Sequence, residues 1–214
     1  PAPPKAIAWE LTRRCMLRCR HCRGAAEDTP QEGELSTEEC HRVAESIASF
    51  ASPLMILTGG EPMFRDDIYD IASRCTELGM RVVMAPCGML VDEDNARRML
   101  DAGVRLISIS LDGAEPETHD AFRGREGAFE RALESIEAAK SAGLGFQVNT
   151  TVSRHNVDEL PALLDLAEEL GAAAFNPFML VPTGRGEEMA DQELSAEQYE
   201  EVLQWLADRR GERD

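Results

Sequence analysis

Residues 54–85, LMILTGGEPMFRDDIYDIASRCTELGMRVVMA, contain a complete strand, helix, strand unit. Leu54 to Thr58 is a short apolar run preceded by Pro53 and followed by Gly59 and Gly60, the length and setting of a buried strand. Ile68, Ile71, Ala72, Cys75 and Leu78 then recur at the spacing that puts them on one face of a helix. Gly79 follows where that helix needs a left-handed residue to stop, and Arg81 to Ala85 begins a second strand.

The same rhythm runs outward in both directions. Strands are expected at Ala6 to Leu11, Arg105 to Leu111, Phe146 to Val152 and Ala173 to Val181, which with the two above makes six βα units. Ser36 with Glu39, Asn156 with Glu159, and Ser195 with Gln198 have the spacing of capping boxes and mark helix starts, while Gly103, Gly143 and Gly171 mark stops. Alternating units of this kind build a parallel sheet with helices packed on it. A closed eight-stranded barrel typically needs about 250 residues, so a chain of 214 fits an incomplete, open (β/α)6 barrel, read as one domain over 1–214.

Strand phase adds a second constraint. Ser108, Ser110 and Asp112 share one face of the fourth strand, and Gln147, Asn149 and Thr151 one face of the fifth, opposite Ile107, Ile109, Leu111, Phe146 and Val148. Pointing into a barrel, such polar rows require a solvated or ligand-filled cavity, because an unpaired buried polar group costs about 1–3 kcal/mol. The alternative is an edge sheet whose polar face meets solvent.

The net charge of −18, from 22 Lys plus Arg against 40 Asp plus Glu, argues against nucleic acid or an anionic membrane as partner. No apolar run approaches the ~20 residues that cross a bilayer, and a soluble, cytoplasmic protein is expected. Yet Arg13, Arg14, Arg18, Arg20 and Arg23 crowd into RRCMLRCRHCR, a local reversal of sign. Within it Cys15, Cys19 and Cys22 form CxxxCxxC on the loop after the first strand. Close cysteine spacing in such a chain favours metal over disulfides. Iron-sulfur cubanes normally take four thiolates, so a triplet leaves one iron with an open position. Structural zinc also needs four ligands, and His21 stands too close to Cys22 for both to reach one tetrahedral ion easily. The second element, Thr58, Gly59, Gly60, Glu61 and Pro62, also follows a strand. Its glycines allow close approach to the backbone, and Glu61 offers a carboxylate for an ammonium group. Alone it would be only a turn. Both elements sit at carboxyl ends of neighbouring parallel strands, where barrel active sites are built.

CMLRCRHC followed by TGGEP resembles the radical S-adenosylmethionine (SAM) superfamily, and the six units extend the resemblance over nearly the whole chain. The resemblance implies a 4Fe-4S cluster held by Cys15, Cys19 and Cys22, with SAM chelating the remaining iron and its amino group received by Thr58 to Pro62. It implies Ser110, Asp112, Asn149, Thr151 and Arg123 as candidates for the ribose and the methionine carboxylate. Read on their own, Asp112 before Gly113 also suits a turn and Arg123 a surface ion pair. The implied chemistry is one-electron reduction of the cluster, cleavage of a carbon–sulfur bond of SAM, and abstraction of a substrate hydrogen atom by the 5'-deoxyadenosyl radical.

KAIAWELTRRC, GELSTEEC, SLDG, NTTVSRHNVDELP and FMLVPTGRG are similar to the radical enzymes of alternative heme and heme d1 biosynthesis. That similarity implies a siroheme-derived tetrapyrrole substrate. Removal of two acetate side chains from didecarboxysiroheme to give iron-coproporphyrin III is implied first, and the heme-forming decarboxylation of iron-coproporphyrin III second. A peptide-modifying radical enzyme is the nearest enzymatic alternative, and a non-catalytic iron-sulfur or zinc module the alternative of another class. Arg18, Arg20 and Arg185 are candidates for the macrocycle carboxylates. The same arginines could instead dock an acidic one-electron donor such as a ferredoxin or flavodoxin, or simply be solvated. Cys87, where relatives often carry Asn, could face the cavity as hydrogen-atom donor or extra ligand, or be a small buried residue; Cys40 and Cys75 read as core. Met16 likewise replaces a common Asn. Such relatives usually continue into a carboxyl-terminal region with cysteines for an auxiliary cluster, and after Cys87 this chain has none.

Overall fold

The computed structural model describes residues 2–211. Six strands, β1 (Ala6–Glu10), β2 (Leu54–Thr58), β3 (Arg81–Met84), β4 (Val104–Ser110), β5 (Gly145–Val152) and β6 (Phe175–Met179), lie in sequence order in one sheet. Every neighbouring pair is parallel. The strand order ends at β1 and β6 without closing, so the molecule is the expected half-barrel. The connections carry α1 (Thr37–Ala48), α2 (Ile68–Glu77), α3 (Glu93–Asp101), α4 (Pro116–Arg123), α5 (Ala128–Ala142) and α6 (Leu160–Leu170), and α7 (Ala196–Gly211) follows β6.

One apolar layer joins sheet to helices. Met55, Leu57, Val82, Met84, Ile107, Ile109, Phe146 and Val148 pack beneath Ala44, Ile71, Cys75, Met99, Ile136 and Leu163. Cys40 and Cys75 are fully buried in it, as expected, and burial pushes the Cys75 thiol up to about 11. In β5 the alternation is complete: Phe146, Val148, Thr150 and Val152 are buried, while Gln147, Asn149 and Thr151 between them are half-buried on the other face.

The helix boundaries follow local chemistry. The Ser36–Glu39 capping box opens α1, and Ser195 and Gln198 exchange the same pair of bonds before α7. Gly79, Gly103, Gly143 and Gly171 all take positive φ, between 80 and 87°. Asn156 and Glu159 do not form the expected box. Asn156 donates to the carbonyls of Asp112 and Thr151, and Glu159 accepts from the Ala114 N–H and the Thr118 hydroxyl, so both side chains tie the β4 and β5 loops together. Long-range partners outcompeted the local cap. Helix α4, inserted ahead of α5, also went beyond the simple one-helix crossover.

Ile109→Ala, at a position with no solvent exposure, should cost about 2–5 kcal/mol in urea unfolding. Phe50→Ala, where the ring is 61% exposed, should change stability by no more than about 0.5 kcal/mol.

Candidate active site

The cysteine loop, residues 11–27, crosses the carboxyl ends of β1 and β2 and is laced down by backbone bonds. Gly60 N–H donates to the Thr12 carbonyl and Glu61 N–H to the Arg14 carbonyl, both at 2.7 Å, while Cys15 N–H reaches Glu27 at 3.0 Å. The paired glycines serve this contact. A Cβ at Gly59 would lie 2.3 Å from the Thr12 carbonyl oxygen, and one at Gly60 2.3 Å from that of Arg14. Their smallness therefore admits the neighbouring loop, in addition to any ligand.

Two further segments hold the loop from the far side of the sheet. Arg20 N–H donates to Phe122 at the end of α4, and the His21 ring stacks on Phe122 at 4.5 Å, with His155 on the other face of Phe122 at 5.4 Å. From the loop after β6, Arg185 donates Nε to the Cys19 carbonyl at 3.0 Å and Nη1 to the Ala26 carbonyl at 2.6 Å. Gly184 beside it lies so close that a Cβ would meet the Arg23 carbonyl oxygen at 2.2 Å. The PTGRG segment is thus a clamp on the cysteine loop, and Arg185, read from sequence as a substrate contact, has two of its three side-chain nitrogens engaged there.

These elements enclose a cavity of about 700 Å³ at the carboxyl ends of the strands. Cys15, Cys19, Cys22, Thr58, Gly59, Gly60, Cys87, Ser110, Arg123, Asn149, Thr151 and Arg185 all line it, residues separated by up to 170 positions in sequence (185 minus 15). Of the polar rows of β4 and β5, Ser108, Ser110, Asn149 and Thr151 face the cavity. All three cysteines are free.

Several expected residues stand elsewhere. Glu61 is fully buried and does not line the cavity: its Oε1 accepts from Met63 N–H at 2.9 Å and its Oε2 from Cys87 N–H at 2.7 Å. It joins the β2 and β3 loops, with Pro62 starting the 3-10 turn it caps; burial raises its carboxyl above the ordinary range. Asp112, also fully buried and absent from the lining, pairs with Arg123 Nη2 at 2.6 Å and accepts from Thr151 N–H at 2.7 Å. Burial works most strongly to raise that carboxyl, but the Arg123 charge, with His21, His119 and the Thr151 N–H bond added to it, holds it below its ordinary value. The ion pair foreseen for Arg123 exists, with Asp112 and in the interior, where sequence reading placed it on the surface. Arg18 and Arg20 are exposed and stand outside the cavity lining. Cys87 does face the cavity and its thiol donates to Met16 Sδ at 3.5 Å; the proximity of the Cys15 and Cys87 thiols lowers Cys15 and raises Cys87.

Three buried polar atoms in the lining, His21 Nδ1, Arg123 Nε and Arg185 Nη2, have no hydrogen-bond partner among the described residues. The two arginine nitrogens are unused donors that suit an anionic ligand group, while burial keeps His21 neutral. His21 was not read as a cavity residue, since only the stacking on Phe122 places it there. Among the described residues no three Cys, His, Asp or Glu side chains converge on a point that could hold one metal ion. A cubane asks for something different, because each thiolate meets its own iron, and three free thiols around one cavity fit that demand.

A model of the radical SAM superfamily matches residues 9–167. The chain belongs to the radical SAM superfamily. Its members use a 4Fe-4S cluster and SAM, and the thiols, the glycine loop and the unused cationic donors described above fit both. The chain is 47% identical over 203 residues to the AdoMet-dependent heme synthase of Methanosarcina barkeri, covering 95% of this chain and 58% of that protein. It is 37% identical to the Fe-coproporphyrin III synthase of the same organism, covering 95% and 51%. The radical SAM fold is also that of Streptococcus suis SuiB bound to S-adenosylmethionine, with TM-score 0.76, 14% identity, and 96% of this chain against 48% of that one. The chain thus spans about half the length of the relatives it matches. No helix among the described residues is long and apolar enough to cross a membrane.

Gly60→Ala should cost about 1–3 kcal/mol by forcing the cysteine loop outward and should reduce iron uptake. Gly24→Ala, where a Cβ meets nothing within 4 Å, should leave the melting temperature unchanged. A second outcome concerns pH. Burial, then the Arg123 charge, pushes His119 down to about 4 from 6.5. Between those values the unfolded chain binds a proton that the folded chain refuses, so stability falls as pH drops from about 6.5 toward 4, by up to about 1.4 kcal/mol per pH unit. Urea unfolding at about pH 7 and pH 5 should show this loss, and His119→Asn should lessen it.

Proposed function

We propose that this chain is the cluster- and cofactor-binding core of a radical SAM enzyme of heme biosynthesis, acting on iron-coproporphyrin III to form heme by decarboxylation. The observation that carries the enzymatic part is the cavity, which brings three free thiols, the Thr58–Gly60 loop and unused cationic donors to one place. The choice of substrate rests on the relatives. The sequence reading put acetate removal from didecarboxysiroheme first and decarboxylation second; identities of 47% to a heme synthase and 37% to an Fe-coproporphyrin III synthase favour the reverse order.

In this reading Cys15, Cys19 and Cys22 each hold one iron. A reduced cluster held there would supply the one electron needed to break a carbon–sulfur bond of SAM, giving methionine and the radical that takes a hydrogen atom from substrate. The protein binds and orients. Thr58, Gly59 and Gly60 would supply backbone groups for the methionine end, the unpartnered Arg123 Nε would meet its carboxylate, and Ser110, Asn149 and Thr151 would offer hydroxyl and amide groups for the ribose. The buried Glu61 acts one step back by fixing the glycine loop. At the cavity mouth Phe178 and Val181 are 54% and 66% exposed. Such apolar surface suits the face of a planar macrocycle, while Arg23 and Arg185 Nη2 in the same lining suit its carboxylates.

Arg18 and Arg20, exposed on either side of the buried Cys19, support the donor role over the substrate role. On a chain of net charge −18 they form a local basic spot against the cluster, suited to an acidic ferredoxin or flavodoxin. The free cysteines accord with a reducing, cytoplasmic setting. We read the described residues, 2–211, as one core domain.

The test is anaerobic reconstitution, then reductant and SAM with iron-coproporphyrin III, didecarboxysiroheme or a precursor peptide in separate reactions. We expect 5'-deoxyadenosine and decarboxylated product with the first, and loss of both in Cys19→Ala. Acetate loss from the second would move the assignment to the Fe-coproporphyrin III synthase reaction. A cubane that never yields 5'-deoxyadenosine would reduce the chain to a non-catalytic module.

A further inference from the structure

The sulfur atoms of the cysteine trio are not equivalent in their surroundings. Cys15 Sγ accepts from Leu17 N–H at 3.4 Å and Cys22 Sγ from Ala26 N–H at 3.5 Å, both neutral donors from the loop itself. Cys19 Sγ instead accepts from Arg123 Nη1 at 3.6 Å, a charged donor 104 residues away. Among the described residues Arg123 is the one cation recorded in hydrogen-bond contact with a thiol of the trio.

Its position is built with care. Arg123 is the last residue of α4, followed by the left-handed Gly124 at φ 66°, where a Cβ would meet the Arg18 carbonyl oxygen at 2.6 Å. Asp112 grips Nη2 at 2.6 Å. Asp112 is itself held: Oδ1 by Thr151 N–H at 2.7 Å, its N–H by His119 Nδ1 at 3.1 Å, its carbonyl by Asn156 Nδ2 at 2.8 Å. With Asp112 and Arg123 0% and 8% exposed, solvent screens the pair little.

We propose that Arg123, positioned by Asp112 against the Cys19 sulfur, sets the reduction potential of the cluster. The inference rests on the reading that the trio holds a cubane. Reduction adds one electron and hence one negative charge; a fixed cation on a ligand sulfur stabilises the reduced form and raises the potential. Asp112 has two effects. It locks the cation in place, and its own charge partly offsets that cation. Arg123 and Asp112 therefore act on the cluster with opposite signs.

The experiment is an EPR-monitored redox titration of the reconstituted chain without SAM, so that any loss of SAM binding does not enter the readout. Iron content and melting temperature are measured alongside. Arg123→Gln should move the midpoint potential to more negative values, Arg123→Lys should keep it near wild type, and Asp112→Asn should move it the other way. A residue with only a structural role would change iron content or melting temperature and leave the potential where it was. Arg123→Gln with an intact cubane at the wild-type potential overturns the inference while leaving the enzymatic reading standing. Should Asp112→Asn fail to fold, as loss of a buried partner can cause, the Gln and Lys variants of Arg123 still decide. A wild-type chain that takes up no cubane overturns the functional reading itself, and this inference with it.

Discussion

Two backbone hydrogen bonds, from Gly60 and Glu61 to the carbonyls of Thr12 and Arg14, carry the pairing of β1 and β2 beyond the ends of the strands. Everything at the cavity depends on them. The loop at residues 11–27 after an edge strand would otherwise be free, because β1 has a neighbour on one side only. The bonds form because Gly59 and Gly60 present no side chain to the oncoming loop, and because Glu61, fully buried, spends its carboxylate on the N–H groups of Met63 and Cys87. A buried carboxylate without partners would be strongly destabilising; with two, it becomes the post to which three strand-end loops are tied.

The sheet was legible because its information is local. Strand positions, glycine stops and the caps at Ser36 and Ser195 depend on residues within a few positions of one another, and each emerged within two residues of its expected place. The thiol trio was legible for the same reason. The roles of Glu61, Asp112, Asn156 and Arg185 were not, since their partners lie 26, 39, 44 and 166 residues away. Each looked like a ligand-binding or capping group, and each turns out to hold another loop in place. The arginine-rich stretch misled differently: its charges read as one cluster, but Arg23 lines the cavity, Arg14 pairs with Asp28, and Arg18 and Arg20 point to solvent.

The site therefore has two shells of different character. The inner one is thiols, hydroxyls, amides and a few unused cationic donors. Behind it stands a layer of ionic and ring contacts, including the Asp112–Arg123 pair and the stack of His21, Phe122 and His155. Helix α4 carries much of this second layer, which accounts for its presence in a crossover that α5 alone could have completed. Such support is what keeps reacting groups within fractions of an ångström of their working positions.

The strict alternation along β5 has an evolutionary corollary. Phe146, Val148, Thr150 and Val152 belong to the interior, and Gln147, Asn149 and Thr151 to the opposite face, two of them at the cavity wall. Folding and recognition are thus written in alternate letters of the same word. Lineages could rewrite one set, drifting from one tetrapyrrole or peptide to another, while the other set keeps the scaffold standing, and a single architecture can diversify without first being dismantled.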